Sequence, residues 1–148
     1  MKIIEYKDTH KQDCMAIFES NTPKYLAVQE KADFERFLDS KAESRPYFVV
    51  LIGNTLVGCG GYVIYNNQAG LSWGLVLGSK HNKRIGEALL QYRLNHIHQN
   101  KGKIPIKLDT SQHTEGFFKK YGFETIEIIE NGYSLGLHKV LMQKMGSE

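Results

Sequence analysis

Apolar residues recur along this chain in two rhythms, every second residue or every third and fourth, and the switches between them mark out its elements. Residues 2–7 (KIIEYK) have the composition of a short strand. From Asp8 the rhythm becomes helical, with Cys14, Met15, Ile17 and Phe18 on one side. Asn21-Thr22-Pro23 ends that helix, because Pro pushes the preceding residue out of the helical region. Residues 30–42 predict a second helix with Phe34, Phe37 and Leu38 at i, i+3 and i+4, broken at Arg45-Pro46. Residues 47–52 (YFVVLI), 55–65 and 68–77 then predict three antiparallel strands, turning at Gly53-Asn54 and at Asn66-Asn67. Gly58, Gly60 and Gly61 interrupt the middle strand, which predicts either a bulge or close approach of another backbone, or simply a weak strand.

Residues 84–99 predict a central helix with two apolar stripes, Ile85, Ala88, Leu89 and Tyr92 on one and Leu90, Leu94 and Ile97 on the other. Such a helix packs on a sheet and is partly covered by its neighbours. Asn100 to Lys103 suit its C-terminus. Residues 104–110 (IPIKLDT) alternate as a strand whose first residues Pro105 leaves incompletely paired. Thr110 to Thr114 can open a helix running through Glu115, Phe117, Phe118 and Lys120, with Gly122 ending it. Residues 125–129 and 135–142 finish the chain as a hairpin, with the turn expected at Asn131-Gly132. The order is β-α-α-β-β-β-α-β-α-β-β. A βαβ crossover in the middle puts two parallel strands side by side and makes this an α/β fold with a mixed sheet.

Composition narrows the function classes. With 148 residues, 41% hydrophobic and 24% charged, the chain fits one ordinary soluble domain spanning 1–148. No apolar run is long enough to span a bilayer, and the charged N-terminus lacks a signal-peptide core, so the expectation is a cytoplasmic protein without a membrane partner. Cys14 and Cys59 are too few for a disulfide framework or a metal knuckle, and no metal is expected. The net charge of +3 is too small and too scattered for a nucleic-acid partner. The exception is a local cluster, Lys80, His81, Asn82, Lys83 and Arg84, between an apolar strand and the central helix. A helix N-terminus offers free N–H groups and a partial positive charge, so this cluster reads as a seat for phosphate, or else as a solvated basic loop. It lacks the Gly-Lys-Ser/Thr of a P-loop and the spaced glycines of a dinucleotide fold.

The stretch LSWGLVLGSKHNKRIGEALL (71–90) resembles the phosphate-binding motif of the GNAT superfamily of N-acetyltransferases. That motif reads Arg or Gln, two residues, Gly, one residue, Gly or Ala, and it cradles the pyrophosphate of coenzyme A. His81 stands at the Arg/Gln position, Arg84 at the first glycine and Gly86 at the second, so two of the three positions depart from the pattern. Ile85, Ala88, Leu89 and Leu90 fit the helix continuation. A second stretch, LDTSQHTEGFFKKYGFE, resembles the family's C-terminal motif, with Gly122-Phe123 at its Gly-Phe. The element order is similar to the GNAT fold over nearly the whole chain.

The resemblance implies an acetyl-CoA-dependent N-acetyltransferase acting on a primary amine of a small molecule or peptide, with a homodimer by analogy. Strands 68–77 and 104–110 would splay apart, the pantetheine arm lying between them against Leu75 and Val76. The pyrophosphate would sit on His81, Asn82, Lys83, Arg84, Ile85 and Gly86, with Ser111 and Phe118 also against the cofactor. A neutral acceptor is required, and deprotonating an amine of pKa near 10 at pH 7 costs about 4 kcal/mol. Family members commonly carry a glutamate on the strand at 68–77 as base and a tyrosine four residues before the Gly-Phe as acid. This chain has no carboxylate on that strand and Phe118 at the tyrosine position. Ser111 and Tyr133 are the catalytic candidates, with Asp109, His138, Tyr25, Phe34 and Trp73 as further acceptor-side residues. The alternative is an acyl-CoA-binding module of the same fold with impaired chemistry.

Overall fold

The computed structural model describes residues 1–81 and 84–146. Seven strands and four α-helices follow in the expected order: β1 (Lys2–Glu5), α1 (Lys11–Ser20), α2 (Lys31–Ser40), β2 (Tyr47–Ile52), β3 (Thr55–Tyr65), β4 (Gln68–Val76), α3 (Ile85–Lys101), β5 (Ile106–Thr110), α4 (Glu115–Lys119), β6 (Glu124–Ser134) and β7 (Leu137–Lys144). Short 3-10 turns lead into α1 and α2. β5 starts at Ile106, after the proline, as Pro105 has no N–H for a ladder. Among the described residues no helix is long and apolar enough to cross a membrane.

The strands form one sheet in the order β1-β2-β3-β4-β5-β7-β6. All neighbours pair antiparallel except β4 and β5, which are parallel. That parallel pair joins only at Ala69–Ile106 and Gly70–Lys107, and beyond it the two strands run on without partnering each other. β4 therefore diverges from β5 towards its C-terminal end, as the family resemblance implies.

A bulge sits on the diverging part of β4. Cys59 pairs with Leu75 and Gly61 with Ser72, so two steps along β3 match three along β4. The additional residue is accommodated at Trp73, whose φ is 44°. The buried Tyr47 hydroxyl donates to the Trp73 carbonyl at 2.8 Å and holds the bulge from the next strand but one. The glycines of β3 are there for close approach. A Cβ on Gly61 would lie 2.0 Å from the Pro46 carbonyl oxygen, and one on Gly60 would lie 3.1 Å from both Gly74 Cα and a Leu89 methyl.

Helices cover both faces, which explains why β2 reads as a continuous apolar run. Tyr47 and Val49 face α1 and α2, packed with Cys14, Phe18, Phe34 and Leu38. Phe48 and Val50 face α3, packed among Leu89, Leu90 and Ile97. Both cysteines are buried free thiols in the first of these layers and near the sheet.

The last hairpin turns later than expected, at Leu135-Gly136 rather than Asn131-Gly132. Asn131 adopts a left-handed φ of 56° inside β6, where the β6–β7 register shifts. Its N–H donates to His138 Nδ1 at 3.0 Å, and its Oδ1 accepts the Gly136 N–H at 2.7 Å. Asn-Gly thus makes a bulge, and Gly136 at φ 82° makes the turn. His138 is held in this structural role.

Candidate active site

The divergence of β4 from β5 opens a cleft of about 600 Å³. Its walls are β4 from Leu71 to Val76, the end of β5 from Leu108 to Ser111, the segment between α1 and α2, and the first turns of α3 and α4. Leu75, Val76, His81, Gly86, Ser111, Phe118 and Tyr133, all singled out from the sequence, line it together. Ile85 and Arg84 do not: Ile85 is buried in the core beneath α3, and Arg84 stands exposed to solvent outside the lining. Asn82 and Lys83 lie outside the described residues.

At the α3 end, Arg84 occupies the N-cap with φ 61° and ψ 16°, the left-handed region that the family's glycine adopts freely. This side chain therefore sits on a strained backbone. Among the described residues no side chain caps α3, so the first N–H groups of a 17-residue helix can receive an anion beside the Arg84 guanidinium. That guanidinium is 87% exposed and its nearest carboxylate, Glu87, is 3.9 Å away. A Cβ on Gly86 would meet Phe117 at 3.6 Å and a Val76 methyl at 3.8 Å, ordinary contacts that leave this position uncrowded.

His81 points inward. Its Nε2 lies 2.9 Å from Asn21 Oδ1 and 2.9 Å from the Val76 carbonyl. Both partners are acceptors, which assigns the proton to Nε2. Asn21, 5% exposed, also donates from Nδ2 to the Val76 and Ile17 carbonyls, at 2.9 and 2.8 Å. The end of α1 is thereby stapled to the end of β4, and the Val76 carbonyl already accepts two bonds. Tyr25 stands edge-on between His81 and His113, with ring centroids 4.8 and 5.5 Å away. Phe34 is set back in the core, packed against Trp73 at 5.0 Å, rather than on the cleft surface.

Beneath β6 the cleft is acidic. Glu30 closes the turn before α2 by accepting the Ala27 N–H at 3.0 Å, and burial raises its carboxyl pKa, with Asp109 adding to the effect. The Tyr133 hydroxyl donates to Asp109 Oδ2. Burial, then the Asp109 and Glu30 charges, push this phenol far above its ordinary value, so it is a proton donor at neutral pH. Gln29 Nε2 bonds the Tyr133 carbonyl at 2.8 Å and ties the α1–α2 segment to β6 across the cleft.

Ser111 is 3% exposed and its Oγ accepts the His113 N–H at 3.2 Å, which leaves the hydroxyl proton free to donate. Helix α4 itself starts after Thr114, not at Ser111. Phe118 packs edge-on to Phe117 and Phe123 and offers no proton. Among the described residues no three His, Cys, Asp or Glu side chains form a metal-binding group.

Among the lining residues that escape the sequence reading of the site are Asn21, Glu30 and Arg93. Glu30 reads as the start of a helix and Asn21 as its end. Arg93, in the middle of α3, is not singled out by the sequence reading at all, yet it is 4% exposed and lines the cleft behind β4. Its position was legible: it lies four residues from both Leu89 and Ile97, between the two apolar stripes of the helix.

The solved structures that this chain is similar to share its architecture end to end. A ribosomal-protein-alanine N-acetyltransferase from Brucella melitensis superposes with a TM-score of 0.79 at 16% identity, over 98% of this chain and 99% of that one. An aminoglycoside 6'-N-acetyltransferase complexed with coenzyme A gives 0.78 at 18% identity, over 100% and 98%. The aminoglycoside 6'-N-acetyltransferase from Enterococcus faecium gives 0.75 at 18%, again over 100% and 98%. No curated protein sequence matches the chain significantly. At such identities the superpositions establish the fold. The model of the acetyltransferase (GNAT) domain matches residues 8–145, and with it the chain belongs to the GNAT acetyltransferase family.

Proposed function

We propose that the chain transfers the acetyl group of acetyl-CoA to a primary amine by direct attack. The supporting observation is a single cleft that has the uncapped start of α3 at Gly86 in one part, beside the exposed Arg84 guanidinium, and the carboxylates of Glu30 and Asp109 in another. The first part suits a pyrophosphate, through the α3 amides and a charge-assisted bond from Arg84. The diverging edge of β4 at Leu75 offers backbone groups to an extended arm, and the cleft is large enough to hold one. Acetyl-CoA bound there supplies an activated acyl group.

The acidic part suits the acceptor. Glu30 and Asp109 attract an ammonium group, and a carboxylate with a raised pKa is a better proton acceptor than an ordinary one. Glu30 thus stands in for the carboxylate that β4 lacks. Tyr133 keeps Asp109 oriented and keeps its own proton. Ser111, whose hydroxyl proton is free, is the group proposed to bond the departing thiolate, with Tyr133 acting through Asp109; a thiolate of pKa near 8.5 asks for little more. Phe118 adds an apolar wall.

Thiol release from acetyl-CoA tests this reading, with spermidine, an aminoglycoside and an alanine-terminated peptide as acceptors. At least one amine is expected to give saturable turnover that falls ten-fold or more in Glu30→Gln. Coenzyme A binding without turnover above background for any primary amine would reduce the protein to an acyl-CoA-binding module.

A further inference from the structure

We propose that Arg93 is a catalytic residue of the transfer, its guanidinium reaching into the glycine-lined space behind the β4 bulge to bond the thioester oxygen. This rests on the acetyl-CoA reading above. Arg93 projects from the middle of α3 towards the sheet, where only glycines leave room for it. A Cβ on Gly74 would lie 2.9 Å from its Nη2, and one on Gly60 would lie 3.3 Å from its Cζ. The guanidinium thus occupies the space that two side chains would fill in an ordinary strand pair.

Among the described residues nothing neutralises it. Its one hydrogen bond runs from Nη1 to the Gly61 carbonyl at 3.3 Å, and Nε is buried without a partner. Among the described residues no carboxylate comes within ion-pair distance of it. Tyr47 and Cys59, across the sheet, are its nearest ionisable neighbours, and burial keeps the Tyr47 phenol neutral. Burial lowers the Arg93 pKa from 12.5 to about 10, so the cation persists at neutral pH. A buried cation with unused donors is costly to keep, and an apolar chain of similar length would fill the same space. The charge has a use if negative charge arrives beside it.

The reaction brings such charge. The amine nitrogen bonds the carbonyl carbon while the carbonyl π pair moves onto oxygen. When that pair returns, the C–S bond breaks, the thiolate leaves with its electrons, and the amine proton passes to a cleft carboxylate. Donors already fixed where the oxygen gains charge lower the barrier without reorganisation.

Infrared spectra of bound, carbonyl-labelled acetyl-CoA test the assignment without any acceptor. The carbonyl band is expected to move to lower frequency on binding wild type, to return towards its solution position in Arg93→Met, and to lie between in Arg93→Lys. Coenzyme A affinity should stay within about three-fold, while acetyl transfer to hydroxylamine, too small to need an acceptor pocket, falls about 10²–10³-fold in the Met variant. The melting temperature of Arg93→Met without ligand should equal or exceed that of wild type. A carbonyl band and transfer rate unchanged by Arg93→Met overturn the proposal. So does a Met variant that fails to fold beside a Lys variant with the wild-type band. A wild-type protein that binds no acetyl-CoA overturns the functional reading itself, and this assignment with it.

Discussion

Arg84 combines backbone strain with a charge that the proposal sets against phosphate, and two substitutions divide them. Its φ of 61° puts a Cβ-bearing residue in the left-handed region, at roughly 1–2 kcal/mol. Arg84→Ala removes the guanidinium and keeps the strain. Arg84→Gly removes both, although the more flexible unfolded chain returns about 0.5–1 kcal/mol of that gain. The Gly variant should therefore be more stable than the Ala variant by about 1 kcal/mol, or roughly 2–4 °C for a domain of this size. The ion pair with Glu87, at 3.9 Å and exposed, does not change this comparison because both variants lose it. Both should bind coenzyme A about ten-fold more weakly, the equivalent of about 1.4 kcal/mol for a lost charge-assisted bond. Scanning calorimetry and titration with coenzyme A measure the two effects on the same samples. Equal melting temperatures for Ala and Gly would refute the left-handed strain. Unchanged affinity in both would refute the phosphate contact.

Other substitutions test the remaining parts of the cleft. Glu30 has a folded-state pKa above its value of 4.5 in the unfolded chain, so in that window the native state binds more protons and stability falls as pH rises. Glu30→Gln should accordingly be more stable than wild type at pH 7, with the advantage shrinking towards pH 4; a difference independent of pH would contradict this. His81→Ala strips Asn21 Oδ1 and the Val76 carbonyl of a donor and should cost about 1–2 kcal/mol in urea unfolding. No measurable cost would mean that the α1–β4 staple is not held through this ring. Gly61→Ala would place a Cβ 2.0 Å from a backbone oxygen, and a loss of about 3 kcal/mol is expected. A fully stable Ala variant would show that β2 and β3 can separate there.

Much of the architecture was legible because the rhythms of β2 and α3 are long and the turns at Gly53-Asn54 and Asn66-Asn67 separate the strands plainly. The glycines at 58, 60 and 61 left a bulge, a close approach or a weak strand open, and the structure supplies the reason: Gly60 makes room for the β4 bulge and the Arg93 guanidinium, and Gly61 for the backbone at Pro46. The final turn was misplaced because Asn131-Gly132 and Gly136 all tolerate left-handed backbone, and local propensity does not rank them. Long-range hydrogen bonding does, through His138. In the site, the inward turn of His81 depends on Asn21, 60 residues away in sequence. Glu30 and Asp109 meet only because the α1–α2 segment folds over the end of β5. Such pairings leave no periodic signal, whereas Arg93 does leave one, by placing a charge between two apolar stripes.

The central claim is that coenzyme A lies in the β4–β5 opening, and amide hydrogen exchange with and without acetyl-CoA tests it most directly. The account predicts slowed exchange at residues 71–77, 84–90 and 108–118, with β1 and the outer half of β6 unaffected and ATP without effect. Protection absent from those three segments at saturating acetyl-CoA, or confined to another part of the sheet, would contradict it.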